Sequence, residues 1–366
     1  MIKFVSLLLL VCNIKRLLSQ RSSEKVVQFG SLSILESSWR EVAETLACWS
    51  ANGKWVPDSK QMESHIYDNP CTHLRYALYF CSSSAPTMTK PKFHWEIPPS
   101  KCKYEFHQFN KEHFSKVIDG YRVMFVGDSV NEEFYVSFMS SLISTVDCEV
   151  CGSMCHGKKL EEIYLPPYRS HATSVRNDRF TLADSTDANH NFYDYDFYGP
   201  LEQHNISLLI MNRGAHYQED DLVINEIQKT LTYLYQRHPN LAVIYRNTPP
   251  GHHDCGSTIT SNPLKAAPKY LTAMTFDERD GDDSTHEHHW YKFHKQNVNV
   301  EAFLKAHFPA VLRLDVFTPT VLRADMHASA GDCLHYCLPG PIDTWVTILS
   351  NALTLAQQLA MPATSA

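Results

Sequence analysis

A chain of 366 residues, 43% hydrophobic and 20% charged, has ample apolar content for one large or two small folded domains, which excludes a disordered, collagen-like or coiled-coil protein. Its formal net charge of -7, with no run of Lys or Arg longer than two residues, leaves no cationic footprint for nucleic acid or an anionic membrane.

At the N-terminus, Met1, Ile2 and Lys3 precede the apolar run Phe4–Val11, after which Asn13, Lys15 and Arg16 restore polarity. That run has the length of a signal-peptide core and is well short of the roughly 20 apolar residues of a membrane span, so residues 1–20 are expected to be a signal peptide or at most a short anchor. Removing Cys12 with this segment leaves ten cysteines: Cys48, Cys71, Cys81, Cys102, Cys148, Cys151, Cys155, Cys255, Cys333 and Cys337. An even number in an exported chain points to disulfides. Cys148, Cys151, Cys155 and His156 have zinc ligation as an alternative, but the group lacks a second half with standard spacing, and no metal is assigned.

Residues 21–47 carry Ser, Glu and Arg without a sustained pattern and read as a linker. From Cys48 to residue 118 the chain is rich in Cys, Pro and aromatics, with Trp49, Trp55, Phe80, Phe93 and Trp95 among turn residues; such a segment needs staples or a neighbour and reads as a cysteine-rich subdomain. From residue 119 to the end the texture changes. Short apolar runs, Tyr121–Val126, Ile206–Met211, Leu241–Tyr245 and Val311–Val316, recur at wide spacing, the pattern of buried parallel strands with helical crossovers. Leu222, Val223, Ile227, Leu231, Leu234 and Tyr235 keep a helical period between two of them. The fold class is α/β, a three-layer sandwich. The sequon Asn205-Ile206-Ser207 is a candidate glycosylation site.

The first of these strands ends in Val126-Gly127-Asp128-Ser129, and the following Phe134, Tyr135, Phe138, Met139 and Leu142 lie on one helical face. Ser129 therefore sits at the carboxyl end of a strand and the start of a helix, where open α/β sheets hold their sites and where free N–H groups stabilise an oxyanion. Taken alone, Gly-Asp-Ser serves equally well as a helix N-cap. Some 200 residues later come Asp332 and His335. Their spacing of three is read as one helical turn, which lets the carboxylate orient the imidazole while its other nitrogen takes a proton from Ser129. Cys333 and Cys337 bracket His335 and would clamp the loop. Asn212, after the second strand and near Gly214, is the candidate oxyanion donor, with Gly127 and Asp128 beside the serine. The clusters His252, His253, Asp254 and His286 to His289 are read as chance groupings among 20 histidines, not as metal ligands.

Together these motifs resemble the trichome-birefringence-like proteins, polysaccharide O-acetyltransferases of the PC-esterase group in the SGNH/GDSL hydrolase superfamily. Cys48-Trp49, Gly53-Lys-Trp-Val56, Cys71, Cys81, Trp95 and Cys102 are similar to that family's N-terminal cysteine-rich domain, and Arg122 to Ser129 to its Gly-Asp-Ser block. Tyr245-Arg-Asn-Thr-Pro-Pro250, Leu322-Arg-Ala-Asp-Met-His-Ala-Ser329 and Asp332 to Trp345 resemble its remaining signatures. The resemblance implies Ser129 as nucleophile, His335 as base and Asp332 as its orienter. It also implies the disulfides Cys48–Cys102, Cys81–Cys337 and Cys255–Cys333, with Cys71 paired to one of Cys148, Cys151 and Cys155. The chain departs from the family pattern at Glu132 and Glu133 after Asn131, where an Arg and an amide are usual, around His216, and at Tyr336 and Val346.

The expected activity is transfer of an acetyl group from a small acyl donor to a polysaccharide or glycan hydroxyl through a Ser129 acyl-enzyme, with no bound cofactor, in the secretory pathway, either the Golgi lumen or outside the cell. A carbohydrate acetyl esterase with the same residues and a non-catalytic glycan binder are the alternatives.

Overall fold

The computed structural model describes residues 25–57, 93–142, 161–165, 169–181, 185–187, 192–252, 255, 262–274, 289–329 and 332–361. The expected signal peptide and the roles of Cys71, Cys81, Cys148, Cys151 and Cys155 lie outside these residues.

A hairpin of β1 (Val26–Phe29) and β2 (Leu32–Leu35) leads into helix α1 (Glu36–Asn52). The linker reading of residues 21–47 is therefore corrected. Trp39, Val42, Leu46 and Trp49 of α1 recur at helical spacing and are buried in the main core, while the Trp39 and Trp49 indoles donate to Pro309 O (2.9 Å) and Tyr104 O (3.0 Å). Arg40 and Glu44 between them face solvent and hide this stripe from a composition reading. Beyond α1, β3 (Lys54–Pro57) pairs with β4 (Phe93–Glu96), the Cys48–Cys102 disulfide closes a loop of 54 residues, and helix α2 (Lys111–Val117) follows, capped by the Asn110 side chain.

The central sheet begins with β5 (Arg122–Gly127), followed by helix α3 (Ser129–Leu142), β6 (Glu161–Leu165) and β7 (Ser170–Arg176). A short ribbon, β8 (Ser185–Asp187) and β9 (Phe192–Asp194), precedes helix α4 (Tyr198–Gln203), β10 (Leu208–Met211), helix α5 (Asp220–Arg237) and β11 (Ala242–Arg246). Helix α6 (Phe293–His307), β12 (Leu312–Leu314), the hairpin β13 (His327–Ser329) and β14 (Asp332–Tyr336), and helix α7 (Pro341–Leu359) complete the chain. The strand order is β12-β11-β10-β5-β7-β6, parallel throughout except for β6. Four of these strands match the apolar runs. β7 was not expected because its buried positions hold Thr173, Ser174 and Ala172 rather than branched aliphatics, and the Ser170 hydroxyl is satisfied by donating to Ile118 O at 2.6 Å.

Alternation along the strands builds the three layers. Val123, Phe125, Ile210 and Ile244 face α1, α3 and α7 through one core, and Met124, Val126, Leu209, Met211 and Val243 face α4, α5 and α6 through the other. The chain winds outward from β5 to β7, then returns to β10 on the other side of β5, so the winding reverses between β5 and β10. A crevice at the carboxyl ends of those two strands is where this topology places a ligand. Among the described residues, no helix is long and apolar enough to cross a membrane.

Candidate active site

β5 delivers Ser129 to that crevice. Asp128, buried beneath it, accepts from the backbone N–H groups of Val130 (3.1 Å) and Asn131 (3.2 Å) through one oxygen and from Ala215 N (3.1 Å) through the other. It therefore caps α3 and ties the turn to the segment after β10. Its carboxylate is thus a committed acceptor and offers no side-chain donor to an oxyanion. At Gly127 a Cβ would come within 2.8 Å of Asn212 O, so glycine is what allows the ends of β5 and β10 to approach; at Gly214 a Cβ would overlap the Thr248 hydroxyl.

Ser129 Oγ lies 2.7 Å from His335 Nε2, and His335 Nδ1 lies 2.7 Å from Asp332 Oδ2. Facing a carboxylate, Nδ1 carries the proton, and Nε2 is left to accept from the serine hydroxyl. Three residues 206 positions apart at the extremes are thus joined in one chain of hydrogen bonds. The local geometry differs from the helical turn expected for Asp332 and His335. Both lie on β14, and residues three apart on a regular strand point to opposite faces. Asp332 resolves this by curling over its own backbone, Oδ1 accepting from Leu334 N (3.2 Å) and His335 N (3.1 Å), so that Oδ2 meets the imidazole.

The strand is held from below. Cys333 is bonded to Cys255, His252 N donates to Cys333 O at 2.9 Å, and His327 Nδ1 donates to His335 O at 2.9 Å. His327 Nε2 meets His252 Nδ1 at 2.8 Å, and His252 Nε2 donates to Val321 O at 3.0 Å. His252 is thereby placed in a buried, edge-to-face imidazole pair rather than in a metal cluster. Among the described residues, no group of three or more His, Cys, Asp or Glu side chains is placed to hold a metal ion. Cys337 is also disulfide-bonded, and its expected partner Cys81 lies outside the described residues. The Cys255–Cys333 bridge closes a loop of 78 residues. Replacing both by Ser is expected to lower the unfolding free energy by about 2–4 kcal/mol, read by thermal denaturation against the native disulfide form.

Asn212 is the second correction. Its side-chain amide donates to Arg246 O (3.0 Å) and Thr248 Oγ1 (3.4 Å), away from Ser129. It binds the ends of β10 and β11 together instead of facing an oxyanion. Arg246, at the end of β11 and fully buried, was not singled out from the sequence. Its Nε donates to Asn131 Oδ1 at 3.1 Å, its Nη2 stands 3.5 Å from Asp128 Oδ1, and its guanidinium lies 5.3 Å from the Trp345 ring. Burial lowers its pKa to about 10, with the Asp128 charge opposing, so it stays cationic at neutral pH. On the other flank, Arg176 at the end of β7 pairs with Asp178 and donates to His216 Nε2 at 3.2 Å. Burial lowers the His216 pKa, which suits that neutral acceptor.

Glu133, one helical turn after Ser129, was noticed only as a departure from the family pattern. It is fully buried; Oε1 accepts from Tyr336 N at 3.2 Å, and Oε2 has no hydrogen-bond partner among the described residues. Burial pushes its carboxyl up to about 8. His335 is pushed up to about 9: burial opposes the charged form, but the Glu133 and Asp332 carboxylates outweigh it. Burial likewise disfavours the Asp332 carboxylate, yet its bond to His335 holds it below the usual range.

Residues 225–352 match the PC-esterase family, described as a GDSL/SGNH-like acyl-esterase family found in Pmr5 and Cas1p. The chain carries a PC-esterase domain. The match includes Arg246, Asp332 and His335, and the sheet brings Ser129 to that PC-esterase segment from outside it. The chain is 21% identical to protein trichome birefringence-like 25 of Arabidopsis thaliana, over 82% of this chain and 75% of that protein. Identity is 23% to xyloglucan O-acetyltransferase 1 of Populus trichocarpa, over 88% of this chain and 85% of that one, and 22% to xyloglucan O-acetyltransferase 2 of Arabidopsis thaliana, over 81% and 80%. Among solved structures, the periplasmic domain of the lipopolysaccharide acetyltransferase of Salmonella ser. Paratyphi A aligns with a TM-score of 0.35 and 11% identity, over 64% of this chain and 85% of that one.

Proposed function

We propose that this protein is an O-acetyltransferase of the secretory pathway, acting on a polysaccharide or glycan hydroxyl through an acetyl-Ser129 intermediate. The observation that carries the reading is the continuous hydrogen-bonded chain Ser129–His335–Asp332 at the switch point of the sheet. The names of the xyloglucan O-acetyltransferase relatives support the acceptor class.

In the first step His335 Nε2 takes the Ser129 proton as Oγ bonds to the acetyl carbonyl carbon of a small activated donor. Collapse of the tetrahedral adduct breaks the bond to the leaving group, which departs with the proton from His335. In the second step a sugar hydroxyl enters, gives its proton to Nε2, and attacks the acyl-enzyme; the ester bond to Ser129 breaks and its oxygen recovers the proton. One base serves both steps, and Asp332 supports the imidazolium in each. The N–H groups at the start of α3 supply positive potential for the oxyanion. The disulfides accord with an oxidising compartment, the Golgi lumen or beyond, and Asn205, exposed after α4, is the acceptor for an N-linked glycan there.

The test is intact mass after incubation with p-nitrophenyl acetate, for the native protein, Ser129→Ala and His335→Ala, followed by addition of xyloglucan oligosaccharides and other glycans. An acetyl adduct is expected only with Ser129 present, discharged faster by a glycan than by water. Discharge by water alone would establish the esterase, and an adduct that survives Ser129→Ala would overturn the nucleophile assignment.

A further inference from the structure

The base has a second carboxyl next to it that the two-step mechanism does not use. Glu133 follows Ser129 by four residues, so α3 presents both on one face. Its single hydrogen bond comes from the N–H of Tyr336, the residue after the base, and its other oxygen is buried without a partner among the described residues. A fully buried carboxylate served by one neutral donor is expensive, and the protonated form is the natural resident.

The charged and titratable groups around it explain why it is not a simple ion pair. His335, Asp332 and Tyr336 face it from β14, and Glu132 stands beside it on its own helix. Arg246 acts on it from the end of β11, but that guanidinium is engaged by Asn131, Asn247 O and Asp128. Asp128 lies one turn before it, and on α7 the nearest such group, Asp343, is held by the Ser137 hydroxyl at 2.6 Å. No cation is therefore dedicated to Glu133 among the described residues; His335 is the group with which it can exchange a charge.

We propose that Glu133 and His335 share one proton, and that Glu133 is a positioning residue whose ionisation holds that proton on His335 and so sets the pH at which the base is free to take the hydrogen of Ser129. This rests on the reading of His335 as the base. With Asp332 ionised, the one-proton state of the pair has two forms. In one, Glu133 is neutral and His335 accepts from Ser129; in the other, Glu133 is an anion, His335 is an imidazolium, and the base is blocked. A carboxylate beside an imidazole favours the charged form, so ionised Glu133 raises the pKa of His335 and neutral Glu133 lets it fall. Neutralising Glu133 permanently should thus widen the pH range in which the base is free, in the acid direction.

Glu133→Gln keeps the acceptor for Tyr336 N and removes the ionisable group. Two readouts are taken: the pH dependence of kcat/KM with p-nitrophenyl acetate, and the titration of the His335 ring by NMR in the Ser129→Ala background, which needs no activity. In Glu133→Gln the acid limb is expected to move down by at least about one pH unit. The His335 ring, titrating over two steps with Glu133 present, is expected to follow a single step with glutamine. If the ring titrates in one ordinary step in Ser129→Ala with Glu133 intact, the shared proton is disproved, whether or not the glutamine variant folds. Unshifted limb and ring titrations in a folded Glu133→Gln protein would disprove it too. A shifted ring titration alongside activity that survives loss of His335 would instead remove the base assignment and leave the coupling standing.

Discussion

Replacing His335 by Ala is expected to lower acetyl-ester turnover by about 10⁵–10⁶-fold, and adding Ser129→Ala to that variant to lower it by less than about tenfold more. The near-absence of a further loss follows from the geometry. On the proposed mechanism Ser129 Oγ and His335 Nε2, 2.7 Å apart, act as one nucleophilic unit, so without the imidazole the hydroxyl has nowhere to send its proton. Asp332→Asn is expected to cost about 10⁴-fold for a different reason. An amide nitrogen at the Oδ2 position would donate to His335 Nδ1, forcing the tautomer with a proton on Nε2, which cannot accept from Ser129. Single-turnover rates of the three single variants and the Ser129/His335 double variant check this. Losses that multiply, with the double variant several orders of magnitude below either single, would show that the two residues do not act together.

What the sequence discloses here depends on whether a signal is local. β5, β10, β11 and β12 are short apolar runs because both faces of a parallel sheet are buried, and they are legible as such. β7 carries Ser and Thr at buried positions, and the bond from the Ser170 hydroxyl to Ile118 O is one that only the folded neighbour reveals. Ser129, Asp332 and His335 stand out by residue type and by their places at strand ends, and the fold brings their side chains together, yet the local shape of the last pair is not legible. A spacing of three fits a helical turn, and it equally fits the Asx turn that Asp332 makes on β14. Asn212 shows the same limit. An asparagine after a strand is a fair oxyanion donor until the next strand brings Arg246 O and Thr248 Oγ1 within reach of its amide. Cys255–Cys333 was implied by family resemblance and is present, whereas cysteine counting alone leaves the pairing open.

Arg246→Met is expected to destabilise the protein by about 3–5 kcal/mol, the second large effect. The methionine fills much of the space along Trp345 but removes the cation that stands beside Asp128, in a region where both side chains are buried. Asp128 keeps its three backbone donors; what it loses is the opposite charge, and a buried carboxylate without one is the costly species. Asn131 loses the Nε donor to its oxygen at the same time. Because Asp128 caps α3 and also holds Ala215, the strain falls on the turn that presents Ser129. Arg246→Lys is expected to recover only part of the loss, since an ammonium keeps the charge but cannot span Asn131, Asp128 and Asn247 O with one planar fork. Asp128→Asn in the Arg246→Met background supplies the decisive comparison. The asparagine removes the stranded charge, so the double variant should be less unstable than the sum of the singles by more than about 1 kcal/mol in denaturant unfolding. Strict additivity would mean that the two groups do not sense each other, and that the arginine is retained for packing against Trp345 alone.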